Sequence, residues 1–159
     1  MFKQLILAGA FLLCMSLGST LHAQIYMSEN DVPILVTNSF YDNYAGSYDI
    51  DKDVLWINDF GNTFTAEYHK GGLVHRITYD DNGSVARTET QIEESIFPVI
   101  IRDVFISSYP NVKVYYYGKV DDSVNGTLYR VGYSEADAMP DSPKTYIYYR
   151  EDGTIYIWK

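Results

Sequence analysis

The stretch that decides the fold is IFPVIIRDVFISSYPNVKVYYYGKV, residues 96–120. A proline stands near its start, and apolar side chains then recur at every fourth position, at Ile101, Phe105 and Tyr109. Proline suits the first turn of a helix because its missing N–H needs no partner there. The four-residue spacing predicts a helix with one buried stripe. The helix is expected to end near residues 110–111, and the β-branched and aromatic run that follows predicts a strand.

The same helix pattern occurs 65 positions earlier, in residues 31–44. There Val36, Phe40 and Tyr44 take the places of the three stripe residues, and a proline again stands near the start. The correspondence continues downstream, with residues 64–68 against 129–133 and residues 79–83 against 149–153. Short alternating runs and glycine-containing turns follow each helix, which is typical of antiparallel strands.

These matches predict an α+β fold made of two tandem helix-plus-antiparallel-meander repeats. The repeats are expected to span about residues 31–92 and 93–159, with both helices on one face of the sheet. Together they form a single domain within residues 24–159, a length that suits one hydrophobic core region.

The first 23 residues have the layout of a secretory signal peptide. Lys3 supplies the positive start, residues 5–13 are apolar, and Ala23 offers a small residue at a cleavage point. An apolar run of this length is too short to span a bilayer, which takes about 20 residues. We therefore expect a periplasmic or secreted protein with no membrane span.

Cys14 leaves a second possibility for export. A bacterial lipoprotein is lipidated on a cysteine that follows a small residue, whereas Leu13 precedes this one. Lipidation at Cys14 and cleavage after Ala23 are therefore the two alternatives. If cleavage follows Ala23, the chain loses its single cysteine, and with it any thiol nucleophile, disulfide or cysteine metal ligand.

Charge and motif content exclude several classes of function. The chain has 21 acidic and 12 basic side chains, and its formal net charge is −9. This balance argues against nucleic acid and against anionic membranes, both of which attract basic proteins. The sequence has no glycine-rich phosphate loop before a helix, and nothing supports a catalytic triad. We predict a protein that is not an enzyme, with no catalytic residues, cofactor or metal centre.

The 16 tyrosines all lie after residue 23, and alternation along the strands divides them between two faces of the sheet. The face predicted to lie against the helices comprises Phe64, Ala66, Tyr68, Val112, Val114, Tyr116, Tyr129, Val131, Tyr133, Ile147, Tyr149, Ile155 and Ile157. The opposite face is predicted to carry Tyr115, Tyr117, Arg130, Tyr146, Tyr148, Tyr156 and Trp158. Because tyrosine, tryptophan and arginine dominate interface hot spots, we predict that these seven residues bind an unidentified secreted or periplasmic protein.

Three other interpretations of the sequence stay open. Aromatic cross-strand pairs stabilise a sheet without any partner. The aromatic face is also able to pair with a second copy, which would give a homodimer. A small-ligand or cation carrier would instead use the acidic stretch 49–53 together with His69 and His75, which flank a glycine turn.

The motifs resemble a known family. A helix ending in Tyr109-Pro110, followed by strands that end in the aromatic-acidic-glycine turns of residues 79–83 and 149–153, is similar to the PepSY-like exported proteins of Bacteroidetes. These proteins are grouped by fold with the β-lactamase inhibitory protein, and the resemblance covers residues 31–159. It implies tandem α+β repeats, export, and inhibition of a secreted or periplasmic enzyme by the sheet face. These motifs do not assign any inhibitory residue to this sequence, and the chain lacks the disulfides of the β-lactamase inhibitory protein.

Overall fold

The computed structural model describes residues 25–44, 46, 53–58, 62–139, 142 and 144–158. The predicted signal peptide and the choice between cleavage and lipidation lie outside these residues. The described part contains helices α1 (Ile34–Tyr44) and α2 (Val99–Ser108) and strands β1 (Ile25–Met27), β2 (Leu55–Asn58), β3 (Thr63–Lys70), β4 (Leu73–Asp80), β5 (Val85–Gln91), β6 (Val112–Asp122), β7 (Gly126–Glu135), β8 (Thr145–Arg150) and β9 (Ile155–Tyr156). Short 3-10 turns at Glu29–Asp31 and Glu94–Ile96 precede the two helices.

The nine described strands form one sheet in the order of the chain, and every neighbouring pair is antiparallel. Each helix is inserted without disturbing this order, after β1 and after β5. The predicted α+β class with an antiparallel meander is therefore confirmed. No helix among the described residues is long and apolar enough to cross a membrane.

Each helix packs its predicted stripe onto its own part of the sheet. Val36 and Phe40 of α1 join a buried cluster with Trp56, Phe64, Ala66, Tyr68, Ile77 and Tyr79. Ile101 and Phe105 of α2 join a second cluster with Phe97, Val131, Tyr133 and Tyr149. Two separate apolar clusters, one under each helix, thus form the core on this side of the sheet.

Strand register shows that both helices lie on the same face. Directly paired residues share a face, and successive pairs connect His75 to Thr90, Thr90 to Lys119, Lys119 to Tyr129 and Tyr129 to Tyr149. This row starts beside the α1 cluster and ends in the α2 cluster. We call the opposite side of the sheet the open face; it carries, among others, Glu67, Arg76, Arg87, Glu89, Tyr116, Gly118, Arg130, Gly132, Tyr146, Tyr148 and Tyr156.

Two residues near the end of the chain were wrongly predicted to lie in the apolar core. Ile155 and Ile157 were expected in the helix-side core, but they are 53% and 74% exposed. The reason is geometric, because β9 is the last strand of the sheet and comprises two residues, so neither helix covers it.

The turn between β4 and β5 touches α1 directly. Gly83 has φ of +82°, and a Cβ at this position would lie 2.5 Å from the carbonyl oxygen of Leu35. A matching turn between β8 and β9 places Gly153 against α2, near Ile100 and Val104. Glycine is therefore needed at residue 83 both for its backbone conformation and for close approach to the helix.

We expect Gly83→Ala to destabilise the protein more than Gly126→Ala. Both glycines have positive φ, which costs an alanine about 1–2 kcal/mol, but a Cβ at Gly126 would meet nothing within 4 Å. The clash with α1 should add about 1–3 kcal/mol to the loss in Gly83→Ala. Urea unfolding of both variants measures the difference, and equal losses would show that the turn does not press on the helix.

Candidate functional site

A buried carboxylate lies at the centre of the open face. Glu89 of β5 is only 5% exposed. Arg130 of β7 donates from Nη1 to both of its oxygens, at 3.0 and 2.8 Å. The Tyr116 hydroxyl of β6 and Nη1 of Arg76 in β4 both donate to Oε1 of Glu89. A charged carboxylate tolerates burial because it is paired and hydrogen-bonded in this way.

The ion network extends beyond Glu89 to the first half of the sheet. Arg76 also donates from Nε to Oε2 of Glu67, at 2.6 Å, and its Nη1 lies 3.3 Å from the Tyr116 hydroxyl oxygen. The charges therefore alternate in sign across the sheet, from Glu67 through Arg76 and Glu89 to Arg130. We call these four residues together with Tyr116 the ion network.

A glycine makes room for the contact between Glu89 and Arg130. Their strands are not neighbours, since β6 runs between them. Gly118 of β6 is the register partner of Arg130. A Cβ at this position would lie 2.7 Å from the Tyr116 ring and 3.0 Å from Oε1 of Glu89. The missing side chain thus provides the gap through which the ion pair forms.

The ionisation of each group follows from this arrangement. Burial alone raises the pKa of Glu89, but Arg130 and Arg76, with the hydrogen bond from Tyr116, outweigh it and hold the pKa below the usual range. Burial alone lowers the pKa of Arg130, and the Glu89 carboxylate more than reverses this. Burial and the negative charge of Glu89 both raise the pKa of Tyr116. At neutral pH the carboxylate is therefore ionised and the phenol is a donor.

Aromatic rings lie on top of the ion network. The guanidinium carbon of Arg130 is 3.7 Å from the centroid of the Tyr146 ring and 5.5 Å from that of Tyr148. Tyr115 meets Tyr146 edge-on, with centroids 6.0 Å apart. Such cation–π contacts are stronger where the cation is desolvated, as Arg130 is. The buried arginine therefore fixes the position of the exposed ring above it.

The rings continue to the end of the sheet around Trp158. Tyr148 and Tyr156 meet the indole nearly at right angles, at 5.3 and 4.9 Å between centroids, and the guanidinium carbon of Arg87 lies 4.8 Å from its centroid. Tyr146 and Trp158 are each 37% exposed. We call Tyr115, Tyr146, Tyr148, Tyr156 and Trp158 the aromatic surface.

The structure places five of the seven predicted binding residues in this aromatic surface. Strand alternation predicts the open-face position of Tyr146, Tyr148 and Tyr156, and the register agrees. Trp158 follows β9 and joins the same rings. The role of these residues in binding stays a prediction.

The position predicted for Tyr117 is wrong. The register of β6 shifts between Val114 and Tyr116, so Tyr115 is an extra residue in that strand. A bulge of this kind reverses the alternation beyond it. Tyr117 consequently lies on the helix side, with its ring 4.7 Å from that of Phe97. For the same reason Tyr116, predicted for the helix-side core, lies in the ion network instead.

Arg130 lies on the predicted face but not at its surface. It is 7% exposed, because Tyr146 and Tyr148 cover it and Glu89 lies beside it. It is therefore a positioning residue rather than one that a partner reaches.

Sequence reasoning missed the residues under the aromatic surface, namely Glu89, Tyr116 and Gly118. One signal was present for Glu89, since Arg87, Glu89 and Gln91 alternate with threonines and so share one face of β5. Its partners were not visible, because the contact with Arg130 crosses a strand and depends on the bulge in β6.

The histidine pair proposed for a cation site does not come together on one face. His75 pairs with Tyr68 on the helix side and stacks on its ring at 5.3 Å, whereas His69 pairs with Val74 on the open face. Burial, followed by the charge of Lys70, lowers the pKa of His75. Of the acidic stretch 49–53, all but Asp53 lies outside the described residues. Within the described residues, no group of three or more His, Cys, Asp or Glu side chains is placed to hold a metal ion.

The geometry defines a class of protein: an antiparallel meander of nine strands, with two helices on one face and an aromatic surface on the other. No protein-family model matches the chain, and no curated protein matches it. Solved structures do match it, and the three described next come from Bacteroides species.

A proposed periplasmic protein from Bacteroides eggerthii has a TM-score of 0.61 at 13% identity, and the match covers 78% of this chain and 85% of that one. A DUF2874 family protein from Bacteroides ovatus has a TM-score of 0.58 at 17% identity, covering 77% and 83%. A BLIP-like protein from Bacteroides fragilis has a TM-score of 0.53 at 19% identity, covering 79% and 83%. These likenesses confirm the resemblance to BLIP-like Bacteroidetes proteins at the level of the fold.

We expect the Glu89–Arg130 pair to be strongly coupled. Glu89→Gln or Arg130→Met alone should destabilise the protein by about 3–5 kcal/mol, because each leaves the other charge buried with less compensation. The double variant should lose much less than the sum of the two. Urea unfolding of the wild-type protein, the two single variants and the double variant measures the coupling free energy as a double-mutant cycle.

Asp121→Asn is the control for this cycle, since its ion pair with Lys119 lies outside the ion network, with side chains 54% and 45% exposed, and should contribute at most about 1 kcal/mol. Additive losses in the Glu89 and Arg130 variants would show that the two groups do not depend on each other.

Proposed function

We propose that this protein is exported, is not an enzyme, and binds a protein partner through the aromatic surface, thereby inhibiting or modulating a secreted or periplasmic enzyme. The observation that carries the proposal is the aromatic surface itself. A half-solvated sheet face is normally polar, whereas here two tyrosine rings are held over a buried ion network and Trp158 packs against one of them.

Fixed rings favour binding for a thermodynamic reason. A side chain that is already held in place loses little conformational freedom when a partner covers it. Tyr146 and Tyr148 contact Arg130 from above, and Trp158 contacts two tyrosines and Arg87. Large preorganised aromatic side chains of this kind are the usual hot spots of protein interfaces.

Export and the lack of catalysis are supported by the sequence and by the comparisons. The layout of residues 1–23 favours a signal peptide. One structural neighbour is described as a proposed periplasmic protein and another as BLIP-like, and none of the neighbours named above is described as an enzyme. The open face offers arginines paired with carboxylates and phenols of raised pKa, an arrangement suited to recognition rather than to proton transfer.

We also infer that the two halves are copies of one unit. Leu35 lies against the turn at Gly83, and Ile100, 65 positions later, lies against the turn at Gly153. Tyr79 and Tyr149 lie fully buried in equivalent places in the two apolar clusters. Burial and neighbouring tyrosines raise the pKa of both, to about 12 for Tyr149.

The test is capture of a partner by immobilised mature protein from the extracytoplasmic proteins of the source organism. We expect Trp158→Ala to weaken capture by at least about tenfold, because truncation of a packed tryptophan removes an interface hot spot. Ile157→Ala is the matched control, since its side chain is adjacent, apolar and 74% exposed but lies outside the aromatic surface. The captured protein is then assayed for inhibition by the wild-type chain.

Capture that survives Trp158→Ala, or that Ile157→Ala reduces equally, would contradict the proposal, as would the capture of nothing. Sedimentation of the purified protein tests the homodimer in parallel. A dimer that dissociates in Trp158→Ala would assign the aromatic surface to self-association instead.

A further inference from the structure

Charge is distributed unevenly between the two sides of the sheet. The chain as a whole is acidic, with 21 acidic and 12 basic side chains. On the open face, however, the described basic residues outnumber the acidic ones. The basic set is Arg76, Arg87, Lys113, Arg130, Lys144 and Arg150, and the acidic set is Glu67, Asp80, Glu89 and Asp122.

Much of this charge is neutralised within the ion network, but two lysines are not part of it. Lys113 and Lys144 line a pocket of about 200 Å³ at the end of the aromatic surface, together with Tyr115, Ser134, Met139 and Ser142. A pocket lined by two lysines and two serines has side chains that can donate hydrogen bonds to a small anionic group.

The arrangement around these lysines suits an incoming anion. Among the described residues, no carboxylate lies within 4 Å of either lysine ammonium group. Nζ of Lys144 lies 4.8 Å from the centroid of the Tyr115 ring, and that ring contacts Tyr146 in turn. The pocket is therefore continuous with the aromatic surface.

We propose that this pocket receives a carboxylate side chain from an acidic segment of the partner protein, while neighbouring residues of that segment cover the aromatic surface. The inference rests on the proposed function and names the chemistry of the partner. Opposite charge at the rim of an interface steers association and suppresses wrong partners, which is the benefit of a basic pocket on an acidic protein.

The first experiment uses the captured partner. We expect the double variant Lys113→Gln, Lys144→Gln to bind it about tenfold more weakly at 50 mM NaCl, with a smaller difference at 500 mM because salt screens exposed charges. Lys119→Gln is the matched control, because Lys119 lies in the same strand on the helix side, with its side chain 45% exposed.

The second experiment needs no partner. The full mature chain, labelled with ¹⁵N, is titrated with the peptide acetyl-Glu-Gly-Glu-amide and with its counterpart acetyl-Gln-Gly-Gln-amide. We expect the acidic peptide alone to shift the amide signals of Tyr115, Ser134 and Lys144, and the lysine double variant to lose these shifts. Equal shifts with both peptides would overturn the inference.

The outcomes separate this inference from the proposed function. A partner whose binding depends on Trp158 but not on the two lysines would overturn the acidic-segment inference and leave the aromatic interface standing. Capture of no partner would contradict the proposed function, and the peptide titration would still decide whether the pocket binds a carboxylate.

Discussion

The structure depends on one ion pair, the contact of Glu89 with Arg130 across strand β6. The apolar cluster under α1 draws on β2 to β4, and the cluster under α2 draws on β7 and β8, with Val112, Val114 and Tyr117 of β6 packed against it. Between the two clusters, the paired parts of β5 and β6 carry polar residues on the helix side, such as Thr88, Thr90 and Lys119. On the open face the ion network spans this junction, linking Glu67 and Arg76 of the first half to Tyr116 and Arg130 of the second. The side chains of the two halves thus meet through hydrogen-bonded charges, which add to the backbone pairing of β5 with β6, rather than through one continuous apolar cluster.

The same ion pair connects the interior of the sheet to its surface. Arg130 has one planar group with two uses, since its edge donates to Glu89 and its face lies under Tyr146. A lysine would not reproduce this arrangement, because its ammonium group has no planar face to lie against a ring. Burial of a charged network costs free energy compared with an apolar core; what this network adds is a fixed position for the rings of Tyr146 and Tyr148 at Arg130.

Predictions from the sequence were most accurate for features that depend on local sequence patterns. The helix stripes, the turn glycines and the strands at residues 64–68 and 129–133 follow from spacing alone, and the structure has them in those places. The assignment of strand residues to the two faces of the sheet failed at one inserted residue. Tyr115, Tyr116 and Tyr117 give no sign of a bulge, because each is equally suited to either side of a strand. Once Tyr115 is the extra residue, Tyr116 and Tyr117 exchange faces.

The ion network could not be predicted from the sequence, for a related reason. Glu89 and Arg130 are separated by 41 positions and lie in strands that do not pair. Their contact needs the sheet order, the bulge and the gap at Gly118 together. None of these is a local property of the chain. The exposed rings were predictable from composition and alternation, whereas the residues that hold them in place were not.

The central claim is that two arginines and a tyrosine outweigh the burial of Glu89 and keep it ionised. The most direct measurement is a ¹³C NMR titration of the Glu89 side-chain carboxyl in the folded protein. We expect a pKa clearly below the ordinary glutamate value of about 4.3, and a higher pKa for Glu89 in Arg130→Met. A pKa at or above the ordinary value in the wild-type protein would contradict this expectation. The effect of burial on the pKa of Glu89 would then outweigh the effect of its charged partners.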